Sequence, residues 1–193
     1  GTLGGRANFW WANTAGLLAA GIVRDTPDPP GGRIVRDAAG EATGVLLEQA
    51  QELIRSLLPH PDPERLLAAI REAQTEAHGL GITGIHDVEG PDALRAFRAL
   101  EALDELRLRV LFHPPVAQLA TLLRHGVQSG LGSNWLTLGG IKLFLDGSLG
   151  SRTAWMLAPY EGGADAGMSL ASEVEARSAV QAALAAAVAQ APV

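Results

Sequence analysis

No cysteine occurs in the 193 residues, which excludes a disulfide scaffold and any thiolate metal site. That fits a reducing compartment, with the cytoplasm as the default assignment. Aromatic residues make up only 5% of the chain, and Trp10, Trp11, Trp135 and Trp155 are spread out, which suits core or pocket-wall roles better than a stacking platform. No basic run offsets the formal net charge of −6, so no nucleic acid and no anionic membrane is an expected partner; a small molecule is. The most apolar tract, residues 179–193, is alanine-rich, broken by Gln181 and Gln190, and too short to span a bilayer. No secretory signal pattern is visible. Also missing are a Walker-type phosphate loop, a GxGxxG, an HExxH and any two histidines spaced two apart.

What is present is 47% hydrophobic residues in a chain long enough for one ordinary core. It opens on Gly1 without a methionine and closes on AAAVAQAPV, where a helix has ended and Val193 reads as the start of a strand. The expectation is therefore an internal fragment of a longer protein. Residues 1–60 differ in pattern from the rest. NFWWANTAGLLAAGI predicts a short helix over 13–20 with Asn13 or Thr14 as cap and Gly21 as stop. GRIVRDAAGEATGVLLE predicts a hairpin with strands at 33–36 and 43–46, followed by a helix over 47–57.

From Pro61 to residue 193 the chain alternates helix and strand. PDPERLLAAIREAQTEAHGLG has a helical apolar period, Asp62 as cap, Pro63 in the first turn and Gly79 as stop. ITGIHD, LRVLFH and LTLGGIKLFLD read as strands, separated by GPDALRAFRALEALDELR and PVAQLATLLRHG as helices. SEVEARSAVQAALAAAVAQA follows as a fourth helix with Ser172 and Glu175 as a capping box. Such alternation means right-handed crossovers and a parallel sheet, hence an α/β fold, without distinguishing an open sheet from a barrel.

In parallel α/β folds the loops after the strands build the active site. Three strand ends carry polar groups: His86 and Asp87, then His113, then Asp146 followed by GSLGSR with Ser151 and Arg152. Each histidine alone could equally be a hydrogen-bonded structural residue. Lys142 is the most pointed candidate, because an amine inside an apolar strand must be paired, neutralised or bound. Strand alternation would place Lys142, Phe144 and Asp146 on one face, with Lys142 about 13 Å from Asp146 at ~3.3 Å per residue. Pattern leaves two readings open: a lysine paired with a carboxylate such as Asp87, or a functional lysine. The GSLGSR loop with Arg152 could likewise cradle an anion or simply turn the chain. His60, His78 and His125 sit near helix ends, where imidazoles meet free carbonyls.

The succession WANTAGLLAAGI, TPDPPGGRIVRDAAGEATGVLLEQA, GITGIHD, LRLRV and GGIKLFLDGSLGSRTAWMLAPY resembles the amidohydrolase superfamily, in particular its family 3 of metal-dependent C–N hydrolases. The resemblance covers nearly the whole chain in order. It implies a partial TIM-like (β/α)8 barrel, about strands two to four, with residues 1–60 as a cap or insertion over the barrel mouth. It also implies one or two divalent metals, usually zinc, and a metal-activated water attacking an amide-type carbonyl of a small molecule. Lys142 matches the lysine that the superfamily carboxylates with carbon dioxide into a metal-bridging ligand. An ammonium cannot ligate, whereas the free amine, favoured by burial, becomes an anionic oxygen donor on carboxylation. His86, Asp87, His113, Asp146, Ser151 and Arg152 then become candidates for the substrate pocket. The family's HxH pair would precede Gly1, and its later histidines and its general-base aspartate would follow Val193, so no catalytic base is assignable within the segment and the segment alone should be inactive. Asn8 stands where many relatives carry a histidine before their WxN motif. A partial barrel with open sheet edges is also expected to self-associate, so a homo-oligomer is left open. The alternative from another class is a non-catalytic α/β domain that binds an anionic small molecule through GSLGSR.

Overall fold

Within residues 9–188, which this computed structural model describes, the chain first forms a strand, β1 (Phe9–Trp11), where the sequence suggested only the approach to a helix. The reason is tertiary: Trp10 lies opposite Leu46 on an antiparallel partner that local periodicity cannot reveal. Helix α1 (Thr14–Ala19) starts where expected, with the Asn13 Oδ1 accepting the Gly16 N–H at 2.9 Å. The hairpin is also present, as β2 (Gly32–Arg36) against β3 (Ala42–Glu48), giving the order β1-β3-β2. Leu46 pairs with both Trp10 and Ile34 and is fully buried with Ile22, Ile34 and Ala50.

The helix expected over 47–57 is shorter and later. Strand β3 runs on through Leu47, and Glu48 adopts a left-handed φ of 49° that ends the strand. A 3-10 turn, Gln49–Gln51, and the single-turn helix α2 (Glu52–Arg55) follow. Burial of Leu46 and Leu47 on the sheet outweighs the helical propensity of the segment. These elements form one compact unit together with Phe144–Glu173, a stretch of turns and bends that rejoins them across about a hundred residues. Arg33 of β2 is ion-paired with Asp165, which holds the Asp165 carboxyl below its usual range and helps fasten that stretch.

The second unit comprises Pro61–Leu143 and the chain from Val174. Helix α3 (Pro63–Gly79) begins at the Asp62 cap and ends later than expected, with Gly81 (φ +77°) rather than Gly79 taking the left-handed stop. It leads through β4 (Gly84–Asp87), α4 (Pro91–Ala102), β5 (Arg109–Phe112), a 3-10 turn Val116–Gln118, α5 (Leu119–Arg124) and β6 (Leu136–Leu138). Helix α6 (Glu173–Val188) follows. The strands form the parallel sheet β4-β5-β6 that the alternation predicts. Val110, Phe112 and Leu136 turn one face of this sheet toward Leu67, Ala96, Phe97 and Leu100 of the helices. Burying a side chain the size of Phe112 or Leu100, both fully enclosed, contributes about 1.5–3 kcal/mol each.

The strand read through LTLGGIKLFLD stops at Leu138, because the Gly139–Gly140 pair breaks the ladder. Past Gly139, whose N–H donates to the Phe112 carbonyl at 2.7 Å, the chain next meets its neighbour through a single parallel bridge between Lys142 and Pro115. Strand alternation therefore does not put Lys142, Phe144 and Asp146 on a common face. The strand suggested at Val193 and the departure at Asn8 lie outside the described residues. Among the described residues no helix is long and apolar enough to cross a membrane.

Candidate functional site

The polar residues at the strand ends of the second unit are brought together by register and by backbone hydrogen bonds. In β4, Ile85 packs on the core, so alternation turns His86 to the opposite face, in line with Leu111 and Thr137. His113, just beyond β5, reaches the same place: its ring stacks on His86 with centroids 5.1 Å apart and planes 15° from parallel. The Nδ1 of His86 lies 2.9 Å from the Nε2 of His113, and the Nδ1 of His113 lies 3.1 Å from the Gly140 carbonyl oxygen. A carbonyl only accepts, so Nδ1 of His113 carries a proton. In the neutral pair, Nε2 of His113 is then an acceptor, His86 donates from Nδ1, and Nε2 of His86 is left with its lone pair on an exposed ring.

Gly139 makes this arrangement sterically feasible. A Cβ there would lie 2.5 Å from Cε1 and 2.6 Å from Nδ1 of His113, whereas one at Gly140 would meet nothing within 4 Å. Lys142 is half-buried and held by its main chain: its N–H donates to the Pro114 carbonyl at 2.8 Å, and its carbonyl accepts from Val116 N–H at 2.9 Å. Asp87 closes β4. Burial raises its pKa, the Glu89 N–H that it accepts at 3.0 Å works the other way, Glu89's charge adds to the rise and His113 opposes it. His86, Asp87, His113 and Lys142 thus share one end of the parallel sheet.

Asp146, Ser151 and Arg152 belong to the first unit. Asp146 accepts the Trp155 N–H at 3.0 Å and bridges to Ser169, which makes it a loop fastener. Arg152 is exposed in a left-handed conformation, φ 55°. Ser151 joins Ser148 and Thr153 in a hydroxyl network that ends on the Glu48 carboxylate. Sequence reading missed Glu48; the one available signal was an acid closing the apolar strand GVLL. This network bears on the anion-binding alternative. The hydroxyls of the GSLGSR loop already face a carboxylate of the protein itself, so an external anion there would meet like charge.

Among the described residues no three His, Cys, Asp or Glu side chains come together as a metal site. Of the imidazole pair only Nε2 of His86 keeps an uncommitted lone pair, so these side chains do not by themselves close a metal shell. Comparison with known proteins supplies the wider context. The amidohydrolase family model matches residues 10–192. The chain belongs to amidohydrolase family 3. Over 161 residues this amidohydrolase chain is 37% identical to the protein YtcJ of Bacillus subtilis (strain 168), covering 77% of the chain and 29% of YtcJ. It is 36% identical to the N-substituted formamide deformylase of Arthrobacter pascens over 81 residues, 40% of the chain and 15% of that protein. Its structure is similar to that of an uncharacterized metal-dependent hydrolase from Pyrococcus horikoshii OT3, with TM-score 0.66, 26% identity, and coverage of 93% of the chain and 36% of the hydrolase. The chain therefore spans about a third or less of the length of the curated relatives it matches and about a third of the solved hydrolase.

Proposed function

We propose that the chain is the part of a metal-dependent amidohydrolase that supplies Lys142 and the adjoining pocket wall, and that the whole protein hydrolyses an amide-type C–N bond of a small molecule. The observation that carries this reading is the gathering of His86, His113 and the Lys142 segment at the C-terminal end of three adjacent parallel strands, in a chain of this family. The three strands and their helices are then a contiguous arc of a (β/α)8 barrel, and residues 1–60 a cap or insertion segment. Similarity to an N-substituted formamide deformylase and to a metal-dependent hydrolase supports the reaction class.

When bound, a divalent metal, zinc by preference, would supply Lewis acidity and an activated water. The residues of this chain do the rest of what can be assigned to it. Lys142 gains an oxygen donor by taking up carbon dioxide: its amine nitrogen bonds to the carbon and a proton leaves to solvent. The remaining ligands would come from the length that the relatives have and this chain does not cover. His86 offers its unprotonated Nε2 from the same sheet end, where it can accept a hydrogen bond from substrate, and its tautomer is set through His113 by the Gly140 carbonyl.

The test uses the full-length parent protein. Lys142 is the sole lysine of these 193 residues, and 13C-labelled carbon dioxide should give a side-chain carbamate resonance that this position accounts for. Lys142→Ala should abolish that signal, release the metal measured by elemental analysis and stop hydrolysis of N-substituted formamides, with partial recovery in short carboxylic acids. A metal-free parent that is unaffected by Lys142→Ala would sink the proposal.

A further inference from the structure

Glu48 stands about a hundred residues from the DGSLGSRT loop in sequence, yet its carboxylate lies at the centre of that loop. A carboxylate accepts only, so the Thr153 hydroxyl donates to Glu48 Oε1 at 2.5 Å. With its one proton committed, Thr153 Oγ1 must accept from Ser151 Oγ at 2.6 Å and from the Ser148 N–H at 3.0 Å. Ser151, its proton spent in turn, accepts from Ser148 Oγ at 2.9 Å. The result is a one-way chain, Ser148 to Ser151 to Thr153 to Glu48, in which a single carboxylate dictates three hydroxyl orientations. Thr153 is 1% exposed, so water cannot replace its partner cheaply.

Two backbone features serve the same contact. Glu48 holds φ 49° and ψ −122°, a conformation costly for any residue with a side chain, and it is kept where the side chain reaches the loop. Gly147 runs so close that a Cβ would lie 2.7 Å from Glu48 Oε1 and against the Thr153 hydroxyl. We infer that Glu48 is the positioning residue of the loop over 146–154: its carboxylate is the anion for which the serine- and threonine-rich turn is built, supplied from within the chain. The inference goes beyond the proposed hydrolysis and does not depend on a metal.

The experiment is hydrogen–deuterium exchange on the full chain, with alanine at 48 because it keeps the backbone demand of the left-handed position. In Glu48→Ala the amides of 147–154 should exchange about tenfold faster or more, the loss expected for at least one charge-assisted bond. Amides of Ile34 and Leu46 should be unchanged. Formate or acetate should slow the loop again by filling the vacated position, and Glu48→Gln should fall between parent and alanine. Thr153→Val, which removes the donor, should loosen the same segment and add nothing on top of Glu48→Ala. The inference is overturned if the loop exchanges as in the parent in Glu48→Ala, if exchange rises equally at Ile34 and Leu46, or if formate and acetate have no effect. Should Glu48→Ala fail to fold, Thr153→Val gives the same reading, and parent-like loop exchange in that variant overturns the inference.

Discussion

Two adjacent glycines in GGIKLF can be told apart by a single methyl group. Gly139→Ala would place a carbon 2.5 Å from Cε1 of His113, where carbon atoms settle at about 3.5–4.0 Å, so something must retreat by about 1 Å. The backbone of 139 is anchored by its N–H to the Phe112 carbonyl at 2.7 Å, beside a fully buried side chain, so the imidazole is the part that gives. Its movement breaks the 3.1 Å hydrogen bond to the Gly140 carbonyl, at about 0.5–1.5 kcal/mol, and the stack on His86, at about 0.5–1.5 kcal/mol. Against this, alanine stabilises by about 0.4–1 kcal/mol through the unfolded chain. The net loss is roughly 1–2 kcal/mol, or about 2–8 °C in melting temperature. Gly140→Ala meets nothing, and neither glycine has a positive φ, so the second variant should be neutral or slightly stabilised. Thermal melts by circular dichroism give the stabilities, and long-range proton–nitrogen spectra of the imidazoles report whether Nδ1 of His113 still carries its proton. Equal melting temperatures and an unchanged His113 pattern in Gly139→Ala would refute the reasoning.

Burial raises the Asp87 pKa, so the folded state binds that proton more tightly than the unfolded state does. Stability is therefore lost as pH rises from the ordinary carboxylate range through the raised value. Asp87→Asn keeps an oxygen for the Glu89 N–H and removes the charge; urea unfolding should find it more stable than the parent at pH 7, with the difference vanishing at acid pH. Phe112→Ala empties a fully buried site and should lower stability by about 3–5 kcal/mol, while Leu157→Ala, fully exposed, should stay within about 0.5 kcal/mol in the same urea titrations.

Much of the second unit was legible because its signals are local. Asp62 and Pro63 announce a helix start wherever they stand before an apolar period, and four-residue β-rich runs such as ITGI and RVLF alternate with helices in a way that leaves only a parallel sheet. The polar residues at the strand ends were legible for the same reason, since strand ends are countable. What misled was continuity. IKLFL looks like the rest of a strand, but the Gly139–Gly140 pair ends the ladder at Leu138 and the chain beyond it does not resume a regular strand. The tryptophans at 10 and 11 give no strand signal by themselves, because their partner is Leu46 and Val45 of another segment.

By itself the sequence determined the order of elements in the α/β part, the Asn13 and Asp62 caps, the exclusion of a thiolate site, and the family to which the chain belongs. These follow from properties carried by neighbouring residues or by motifs in fixed order. Tertiary structure alone decided that His86 and His113 share a hydrogen bond, that Gly140 sets their protons, and that Glu48 fills the loop at Ser148, Ser151 and Thr153. Each of those depends on groups 27 to 105 residues apart meeting within about 3 Å, a distance set by sheet register and turn geometry rather than by any local propensity.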